Sequence, residues 1–371
     1  MINTINYEKN LKKINYYLSK YNNRHNSFFG TPLVISFLVT NRCTLNCKHC
    51  FYHQTMLYGN SAYELSVDEY RKLSNNMEQF FIGIFCGGEP FIRDDIYEII
   101  NIFQVNNKLV TADVTSNGQL TNNIIKQVEN ILIKCPYQNF SLGISLDGFK
   151  ETHNKIRGKG TFEKVMQTWK ELKLLKKYYT NFELYLCSTI NKINEIEFPQ
   201  FIKWCIDNLN PDKISLIKIR QTPRDGNQLK DIDLNNYLKS IKILENHIES
   251  FDISKLEKPQ TYLSLSGNNY VYDSEIYKKK LFKCYAGLHG AFIDYNGNVG
   301  VCEVLSPIAN IRDFDFNFFN LWNSNLASNL RKLVNCDNSC LKCTHEVEGI
   351  LPSIWFEPNQ IKYMRREYSL H

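Results

Sequence analysis

Three cysteines in the first part of the chain have the spacing of a metal or cluster site. Cys43, Cys47 and Cys50 follow the pattern C-x3-C-x2-C within the stretch LVTNRCTLNCKHCFY. A 4Fe–4S cluster ordinarily takes four cysteine ligands, so three thiolates would leave its fourth iron open for chemistry. Zinc is the alternative, because a zinc site needs a fourth Cys or His nearby, and His49 and His53 are close in sequence. A chance group of buried thiols is the third interpretation.

A second group of cysteines lies near the C-terminal end of the chain. Its members are Cys284, Cys302, Cys336, Cys340 and Cys343. The residues before Cys302 alternate in polarity around Asn296 and Gly297, a pair that favours a type I′ turn. We therefore predict a hairpin that brings Cys284 and Cys302 towards one metal. Zinc ribbons use similar half-sites, so a structural zinc is an alternative here.

Composition excludes several classes of protein. The chain has 371 residues, with 44 basic and 38 acidic side chains that give a net charge of +6. The basic residues are spread along the chain, which argues against a nucleic-acid partner. No window offers the ~20 apolar residues of a membrane span, and the N-terminal residues lack the regions of a signal peptide. We expect a cytoplasmic protein without a membrane span. Its twelve cysteines are not expected to form a disulfide framework, and the eight that fall into the two groups above point to metal instead.

Short apolar runs alternate with helical patterns over the first part of the chain. This alternation predicts βα units around a parallel sheet. The six strand candidates are Leu33–Val39, Phe80–Phe85, Leu109–Thr115, Phe140–Leu146, Phe182–Thr189 and Ile214–Arg220. Helices are predicted from a capping box at Ser66 and Glu69, from Arg93 to Asn106, and from Gly160-Thr161 to Lys177. Six units predict an α/β fold, an open partial (β/α)6 TIM-type barrel, with its active site at the C-terminal strand ends.

Four segments describe the expected domain organisation. Residues 1–30 form an N-terminal helical extension, and residues 31–222 form the barrel. Residues 223–283 are a connector with one helix, Leu234–Glu249. Residues 284–371 form a small cysteine-rich module of a β-hairpin plus helix.

Polar residues follow the second, third and fourth strand candidates. They are Gly87, Gly88, Glu89 and Pro90, then Ser116 and Asn117, then Ser145 and Asp147. Paired glycines let a backbone approach a ligand closely, and Glu89 can accept hydrogen bonds from an ammonium group. A GGEP segment alone could be only a tight turn. Because the carboxyl ends of parallel strands meet at one edge, these groups and the cysteine triplet are expected to share one site.

The chain here resembles the radical SAM superfamily, through CxxxCxxC, GGEP, SNG and SLDG after the first four strands. The resemblance implies a 4Fe–4S cluster on Cys43, Cys47 and Cys50, whose free iron is chelated by S-adenosylmethionine (SAM). It also implies that Gly87, Gly88 and Glu89 of the GGEP motif, which ends at Pro90, hold the SAM amino group. By the same resemblance, the ribose or carboxylate is bordered by Ser116, Asn117, Ser145 and Asp147.

Two further residues occupy positions that the resemblance marks. Arg157 matches an arginine often seen near SAM, where it could pair with the carboxylate as a bidentate donor; a solvated surface arginine is the alternative. His49 stands before the third cysteine, where many relatives carry an aromatic residue that touches the adenine. A histidine can still stack there, and it can titrate.

The C-terminal cysteines, placed after such a core, resemble the start of a SPASM or twitch module, which binds auxiliary 4Fe–4S clusters. Two clusters held only by Cys need eight thiolates, and five are too few. The resemblance thus implies one auxiliary cluster on Cys284, Cys302, Cys340 and Cys343. Cys336 is then spare, or replaces one of these ligands.

These features predict an enzyme, an oxidoreductase that cleaves SAM and abstracts hydrogen from its substrate. The expected reaction is an oxidative modification of a peptide or of a small carbohydrate-like metabolite, with a flavodoxin or ferredoxin-type electron donor. Lys218 and Arg220 lie two apart at the end of the sixth strand, so we expect them to share a face and reach into the barrel as substrate ligands or base. Solvated groups at the sheet edge are the alternative for this pair. A non-enzymatic iron–sulfur electron carrier or a zinc-stabilised binding protein is the alternative for the whole chain.

Overall fold

The computed structural model describes most of the barrel and half of the C-terminal module. The described residues are 30–56, 59–136, 138–249, 259–278 and 284–334. The predicted N-terminal extension lies outside them except for its last residue. Cys336, Cys340 and Cys343 also lie outside the described residues.

Six parallel strands form the predicted partial barrel. They are β1 (Val34–Thr40), β2 (Ile82–Gly87), β3 (Thr111–Ser116), β4 (Asn139–Ser145), β5 (Phe182–Ile190) and β6 (Ile214–Lys218). Their order in the sheet is β6–β5–β4–β3–β2–β1, so each strand lies beside its neighbour in sequence. Parallel neighbours need crossover helices, which is why the apolar runs alternate with helical patterns in the sequence. All six predicted strands are confirmed, and their ends differ from the prediction by no more than two residues.

Helices connect the successive strands, and the longer ones pack against the outside of the sheet. They are α1 (His53–Met56), α2 (Val67–Asn75), α3 (Ile96–Asn107), α4 (Thr121–Lys134), α5 (Lys150–Arg157), α6 (Thr161–Lys176) and α7 (Phe198–Trp204). The capping box of α2 is confirmed, because Ser66 Oγ accepts from Glu69 N and Glu69 Oε2 accepts from Ser66 N. The predicted start of α3 at Arg93 is wrong. A short 3-10 helix, Pro90–Ile92, comes first, and the Arg93 side chain is held by Asp95 at 2.7 Å.

The connector after the barrel contains two helices, where the sequence predicted one. The predicted helix, α8 (Leu234–Glu249), is confirmed, and a second, α9 (Pro259–Tyr277), follows it. Gly267, Asn268 and Asn269 give α9 a low intrinsic helix propensity. Its packing supplies the missing stability, since Asn268 Oδ1 accepts a hydrogen bond from the Tyr237 hydroxyl of α8 at 3.2 Å.

The C-terminal module adds three strands to the same sheet. They are β7 (Gly290–Ile293), β8 (Asn298–Gly300) and β9 (Ala309–Asn310), followed by α10 (Phe318–Trp322) and α11 (Asn325–Leu333). Strand β7 pairs in parallel with β1, and β8 returns antiparallel to β7. The described part of this module, residues 284–334, is called the hairpin module below. Its hairpin is confirmed.

The predicted type I′ turn of that hairpin is wrong. Such a turn needs positive φ at both central residues, and within residues 294–297 only Gly297 has it, at +83°. The Asp294 carboxylate instead accepts from the backbone N–H groups of Asn296 and Asn298, at 2.9 Å each. This side-chain turn competes with the two-residue turn and lengthens the loop to four residues.

An aromatic cluster fills the core between the sheet and helices α2 and α3. The Phe37 ring stacks on Phe85 with centroids 5.1 Å apart and lies 4.7 Å from the Phe103 centroid. All three side chains are fully buried. Burial of such rings and their offset contacts stabilise the junction of β1, β2 and α3.

The opposite face of the sheet lines the interior of the open barrel and is more polar. On β3, Ala112 and Val114 are fully buried against the helices, whereas Asp113 and Thr115 alternate with them and are partly exposed. Complete barrels fill this space with bulky branched side chains. In this partial barrel, the β3 residues on the interior face, Asp113 and Thr115, are polar instead. Within the described part of the chain, no helix has the length and apolar content needed to span a membrane.

Candidate functional site

The cysteine loop, residues 41–52, leaves the C-terminal end of β1. Nitrogen donors already face two of its sulfurs. Cys43 Sγ lies 3.5 Å from the backbone N–H of Leu45 and 3.6 Å from Asn117 Nδ2. Cys47 Sγ lies 3.9 Å from Arg157 Nη1. Such donors stabilise a negatively charged sulfur, so their arrangement suits thiolate ligands.

Burial dominates the acid–base behaviour of these thiols when no metal is bound. It raises the pKa of Cys43 and of Cys47, and it raises the pKa of Cys50 to about 11. The Arg157 guanidinium opposes this shift at Cys47. A thiol that coordinates a metal is deprotonated outright. The loop therefore carries neutral thiols by itself and becomes a thiolate site only with a metal group to supply positive charge.

The two histidines proposed as zinc ligands make other contacts in the structure. His53 Nδ1 lies 2.9 Å from the carbonyl oxygen of Cys50, and His49 Nδ1 lies 3.9 Å from Asp147 Oδ2. Among the described residues, no three His, Cys, Asp or Glu side chains are close enough together to hold a metal ion. Cys43, Cys47 and Cys50 are included in this finding, so it applies equally to a zinc ion and to a cluster.

The paired glycines of GGEP allow β2 to approach the backbone of the cysteine loop. A Cβ at Gly87 would lie 2.4 Å from Thr40 O, and one at Gly88 would lie 2.1 Å from Arg42 O. Hydrogen bonds close this contact, from Gly88 N to Thr40 O and from Glu89 N to Arg42 O, each at 2.9 Å. We expected these glycines to make room for a ligand. The structure shows that they make room for the chain itself, and thereby fix the start of the cysteine loop.

Glu89 is a fully buried carboxylate that joins the ends of β2 and β3. It accepts hydrogen bonds from Ser116 Oγ at 2.9 Å and from Asn117 N at 2.7 Å. The N–H of Phe91, in the 3-10 helix that begins at Pro90, is a third donor. Burial nevertheless raises the pKa of Glu89 to about 7. A bound cation beside Glu89 would lower this pKa and favour the ionised carboxylate.

Asp147 and Arg157 form a buried ion pair beside the cysteine loop. Arg157 Nε lies 2.5 Å from Asp147 Oδ2, and the two side chains are 8% and 0% exposed. Burial alone would raise the pKa of Asp147, but the guanidinium outweighs it and lowers this pKa to about 2. The alternative of a solvated surface arginine is therefore wrong. Ser145 is the last residue of β4 and precedes Asp147 by two residues. Its side chain is also buried.

His49 presents an unsatisfied nitrogen to the site. Its Nδ1 atom is buried and makes no hydrogen bond within the described structure. Burial lowers the pKa of His49 to about 4 despite the nearby Asp147, so the ring is neutral at pH 7. A neutral ring can stack on a flat ligand, as the sequence suggested, and its orphaned nitrogen fits a residue that faces a bound group.

Lys218 and Arg220 point to different parts of the structure. Lys218 lies on the same side of β6 as the core residues Ile214 and Leu216, and it pairs with Glu275 of α9 at 3.0 Å. It points to the helix layer and not into the barrel, because alternate residues of a strand share a face. Arg220 lies beyond the strand end and pairs with Glu303 of the hairpin module at 3.0 Å. The expectation of a shared face is wrong, because β6 ends at Lys218.

Cys284 and Cys302 are both buried in the hairpin module. The N–H of Ala286 points to Cys284 Sγ at 3.4 Å. The other predicted ligands of this site are outside the described residues, so the auxiliary ligand set stays a prediction.

Sequence reasoning missed a buried network around Glu64. Its carboxylate takes two hydrogen bonds from Arg42, at 2.9 and 3.0 Å, and one from the Thr40 hydroxyl. Arg93 Nη1 approaches the same carboxylate at 3.4 Å. Glu64 thus binds Thr40 at the end of β1 and Arg42 just before Cys43. No local pattern marks it, because its partners are more than twenty residues away in sequence.

The fold and the site together define a class of protein. It is a partial barrel with three cysteines after the first strand, facing a buried carboxylate and a buried arginine. Residues 37–205 match the family model of the radical SAM superfamily, so this part of the chain is a radical SAM domain. A domain of this kind implies a 4Fe–4S cluster and SAM as cofactors. The sulfur-facing donors, the raised pKa of Glu89 and the orphaned nitrogen of His49 fit these groups.

Curated relatives match only part of this chain. It is 30% identical over 200 residues to the cysteine-type anaerobic sulfatase-maturating enzyme of Clostridium novyi, covering 47% of this chain and 52% of that protein. It is 30% identical over 138 residues to the Fe-coproporphyrin III synthase of Methanosarcina barkeri, covering 36% of this chain and 32% of that protein. The match to the antilisterial bacteriocin subtilosin biosynthesis protein AlbA of Bacillus subtilis is 31% over 153 residues, covering 40% of this chain and 31% of that protein. The chain thus spans about half or less of the length of these relatives.

Solved structures share the fold over nearly the whole chain. Native anSMEcpe with bound AdoMet and Cp18Cys peptide superposes with a TM-score of 0.56 at 20% identity, covering 90% of this chain and 98% of that one. Streptococcus suis SuiB bound to S-adenosylmethionine superposes with a TM-score of 0.60 at 16% identity, covering 93% and 76%. At these identities the likeness establishes the fold alone.

Proposed function

We propose that the chain is a radical SAM enzyme in which Cys43, Cys47 and Cys50 hold a 4Fe–4S cluster with one iron open to SAM. The observation that carries this proposal is the placement of the triplet beside two buried charged groups. Glu89 binds Asn117, whose side-chain amide lies 3.6 Å from Cys43 Sγ, and Arg157 Nη1 lies 3.9 Å from Cys47 Sγ. A reduced cluster held there would supply the one electron that cleaves SAM to methionine and a 5′-deoxyadenosyl radical, and this radical would abstract hydrogen from the substrate.

The side chains around the loop bind and orient SAM in this proposal. Glu89 accepts from the SAM ammonium, which offsets the cost of burying its charge. Arg157 lies between Asp147 and Cys47 and gives the SAM carboxylate a cationic partner. Neutral His49 stacks on the adenine, and Asn117 and Ser145 border the ribose or carboxylate. Because nearly all of these groups are buried, bound SAM would be shielded from water.

The reaction proposed is an oxidative modification of a peptide or a small metabolite. Peptide chemistry is favoured by the names of two relatives, the sulfatase-maturating enzyme and the subtilosin biosynthesis protein. The fold of SuiB, solved elsewhere with its precursor peptide SuiA, is compatible with this class of substrate. Haem-type synthases among the relatives keep a small molecule open as the second candidate. A flavodoxin or ferredoxin-type protein is proposed as electron donor, in the cytoplasm.

The second cysteine group is proposed to hold one auxiliary 4Fe–4S cluster. Its proposed ligands are Cys284, Cys302, Cys340 and Cys343, with Cys336 spare or in place of one of them. Two cubanes predict about eight iron atoms per chain. Copurified zinc together with only about four iron atoms per chain would assign the module a structural metal instead.

Production of 5′-deoxyadenosine tests the proposal. The full chain is reconstituted anaerobically with iron and sulfide, reduced and supplied with SAM. We expect 5′-deoxyadenosine from the wild type and none from Cys43→Ala. Cys135→Ala is the matched control, because its thiol lies in a different part of the fold, 3.5 Å from Asn101 Oδ1. A fully iron-loaded wild type that forms no 5′-deoxyadenosine would instead indicate an electron carrier.

A further inference from the structure

Glu303 connects the hairpin module with the cysteine loop. It directly follows Cys302, and its side chain is only 8% exposed. Its Oε2 atom accepts a hydrogen bond from the hydroxyl of Tyr52, two residues after Cys50. Its Oε1 atom lies 3.0 Å from Arg220 Nη2, beyond the end of β6. A single buried carboxylate thus binds two other parts of the chain.

Arg220 extends this contact to a second residue of the cysteine loop. Its guanidinium lies over the Phe51 ring, 5.2 Å from the centroid. A cation in this position is attracted to the face of the ring. Phe51 and Tyr52 are therefore both held, one through Arg220 and one directly by Glu303. The two residues that follow Cys50 thus both contact groups that belong to the module or are bound by it.

The segment after Arg220 fixes the same loop through its backbone. Arg224 N donates to Cys50 O at 3.1 Å, and Asp225 N donates to Lys48 O at 3.0 Å. The segment that carries these donors is thus anchored at Arg220 by Glu303. The cysteine loop is consequently attached to the module in two ways. Tyr52 binds Glu303 directly, and the backbone of residues 224–225 binds the loop while Arg220, just before them, binds Glu303.

We propose that Glu303 is a positioning residue that couples the Cys47–Cys50 part of the cysteine loop to the hairpin module through Tyr52 and Arg220. The group that we call the Glu303 clasp consists of Glu303, Tyr52 and Arg220. Through these contacts, the environment of the cysteine loop depends on the module. The inference rests on the proposed function only where it assigns a cluster to the cysteine loop.

Hydrogen–deuterium exchange of the full, reconstituted chain measures the coupling. Glu303→Gln keeps an acceptor for Tyr52 but removes the charge that holds Arg220, and Tyr52→Phe removes only one hydroxyl. We expect each variant to exchange roughly tenfold faster than wild type in two separate regions, residues 47–56 and residues 290–303. Asp313→Asn is the matched control, since this exposed carboxylate lies in the same module, and it should change neither region.

A spectroscopic readout separates positioning from general loosening. The EPR spectrum of the reduced cluster on the cysteine loop should shift in Glu303→Gln and in Tyr52→Phe, and remain unchanged in Asp313→Asn. Faster exchange confined to the module, or no change in exchange with an unchanged spectrum, would overturn the coupling.

Exchange is also recorded on iron-free protein. The coupling predicts the same two-region response there, because the contacts of the clasp involve no metal. A chain that binds no iron but shows the two-region response would refute the proposed function and leave the clasp intact. A chain that cleaves SAM but whose variants exchange faster only in residues 290–303 would support the proposed function and refute the clasp.

Discussion

Replacement of Glu89 by Gln separates the binding role of this residue from its structural role. The side chain keeps its shape, and its remaining oxygen can still accept from Ser116 Oγ and Phe91 N. The new amide group would face the N–H of Asn117, which now donates to the carboxylate at 2.7 Å. One hydrogen bond to a charged acceptor is lost, at a cost of about 1.5–3 kcal/mol.

A second contribution acts in the opposite direction. Burial raises the pKa of Glu89 from its usual 4.5 to about 7, so ionising this residue in the folded protein costs about 3 kcal/mol more than in the unfolded chain. An amide avoids this cost above pH 7. The two contributions nearly cancel, so we expect the free energy of unfolding of Glu89→Gln to lie within about 2 kcal/mol of wild type.

SAM affinity has no such compensation. The SAM ammonium loses its charged acceptor, so Glu89→Gln should bind SAM about 10- to 150-fold more weakly, by the same 1.5–3 kcal/mol. Equilibrium dialysis against the reconstituted protein measures the dissociation constant, and urea unfolding measures stability. Glu129→Gln, an exposed carboxylate of α4, is the control. SAM binding within twofold of wild type, at equal iron content, would refute the role assigned to Glu89.

Three further perturbations test the fold around the site. Gly88→Ala would place a Cβ 2.1 Å from Arg42 O, and thermal unfolding should report a loss of about 1–3 kcal/mol; an unchanged melting temperature would contradict this close approach. Phe103→Ala removes a fully buried ring and should cost about 3–5 kcal/mol in urea unfolding. Burial, opposed by Lys213, raises the pKa of Asp113 from 3.8 to about 6. The folded state therefore binds the proton more tightly, and stability falls by up to about 3 kcal/mol as pH rises from about 4 to 6. Asp113→Asn should flatten this decrease in urea unfolding at pH 4 and pH 7; an equal decrease in both proteins would exclude Asp113 as its source.

Local sequence patterns predicted the parts of the fold that depend on neighbours in sequence. The six barrel strands, the capping box at Ser66 and the helix Leu234–Glu249 all have short-range signals, and the structure has them. Helix α9 was missed because its stability comes from packing against α8 and not from its own propensity. The pairing of β7 with β1 could not be read from sequence either, since more than two hundred residues separate these strands.

The candidate site was also only partly predictable from the sequence. The residue types at the strand ends were predicted from motifs, and the structure places Glu89, Asn117 and Arg157 around the cysteine loop. The partners of the charged groups were not predictable. Lys218 is directed to Glu275 and Arg220 to Glu303, because each charge is satisfied by a carboxylate that only the tertiary fold brings near.

The central claim is that Cys43, Cys47 and Cys50 hold a cluster to which SAM binds. EPR spectroscopy of a variant with Cys284→Ala and Cys302→Ala tests it most directly, because this variant should retain only the first cluster, with about four iron atoms per chain. The account predicts a reduced-cluster signal that changes when SAM is added and disappears when Cys43→Ala is included. A signal that is unchanged at saturating SAM, or that survives Cys43→Ala, would contradict the account.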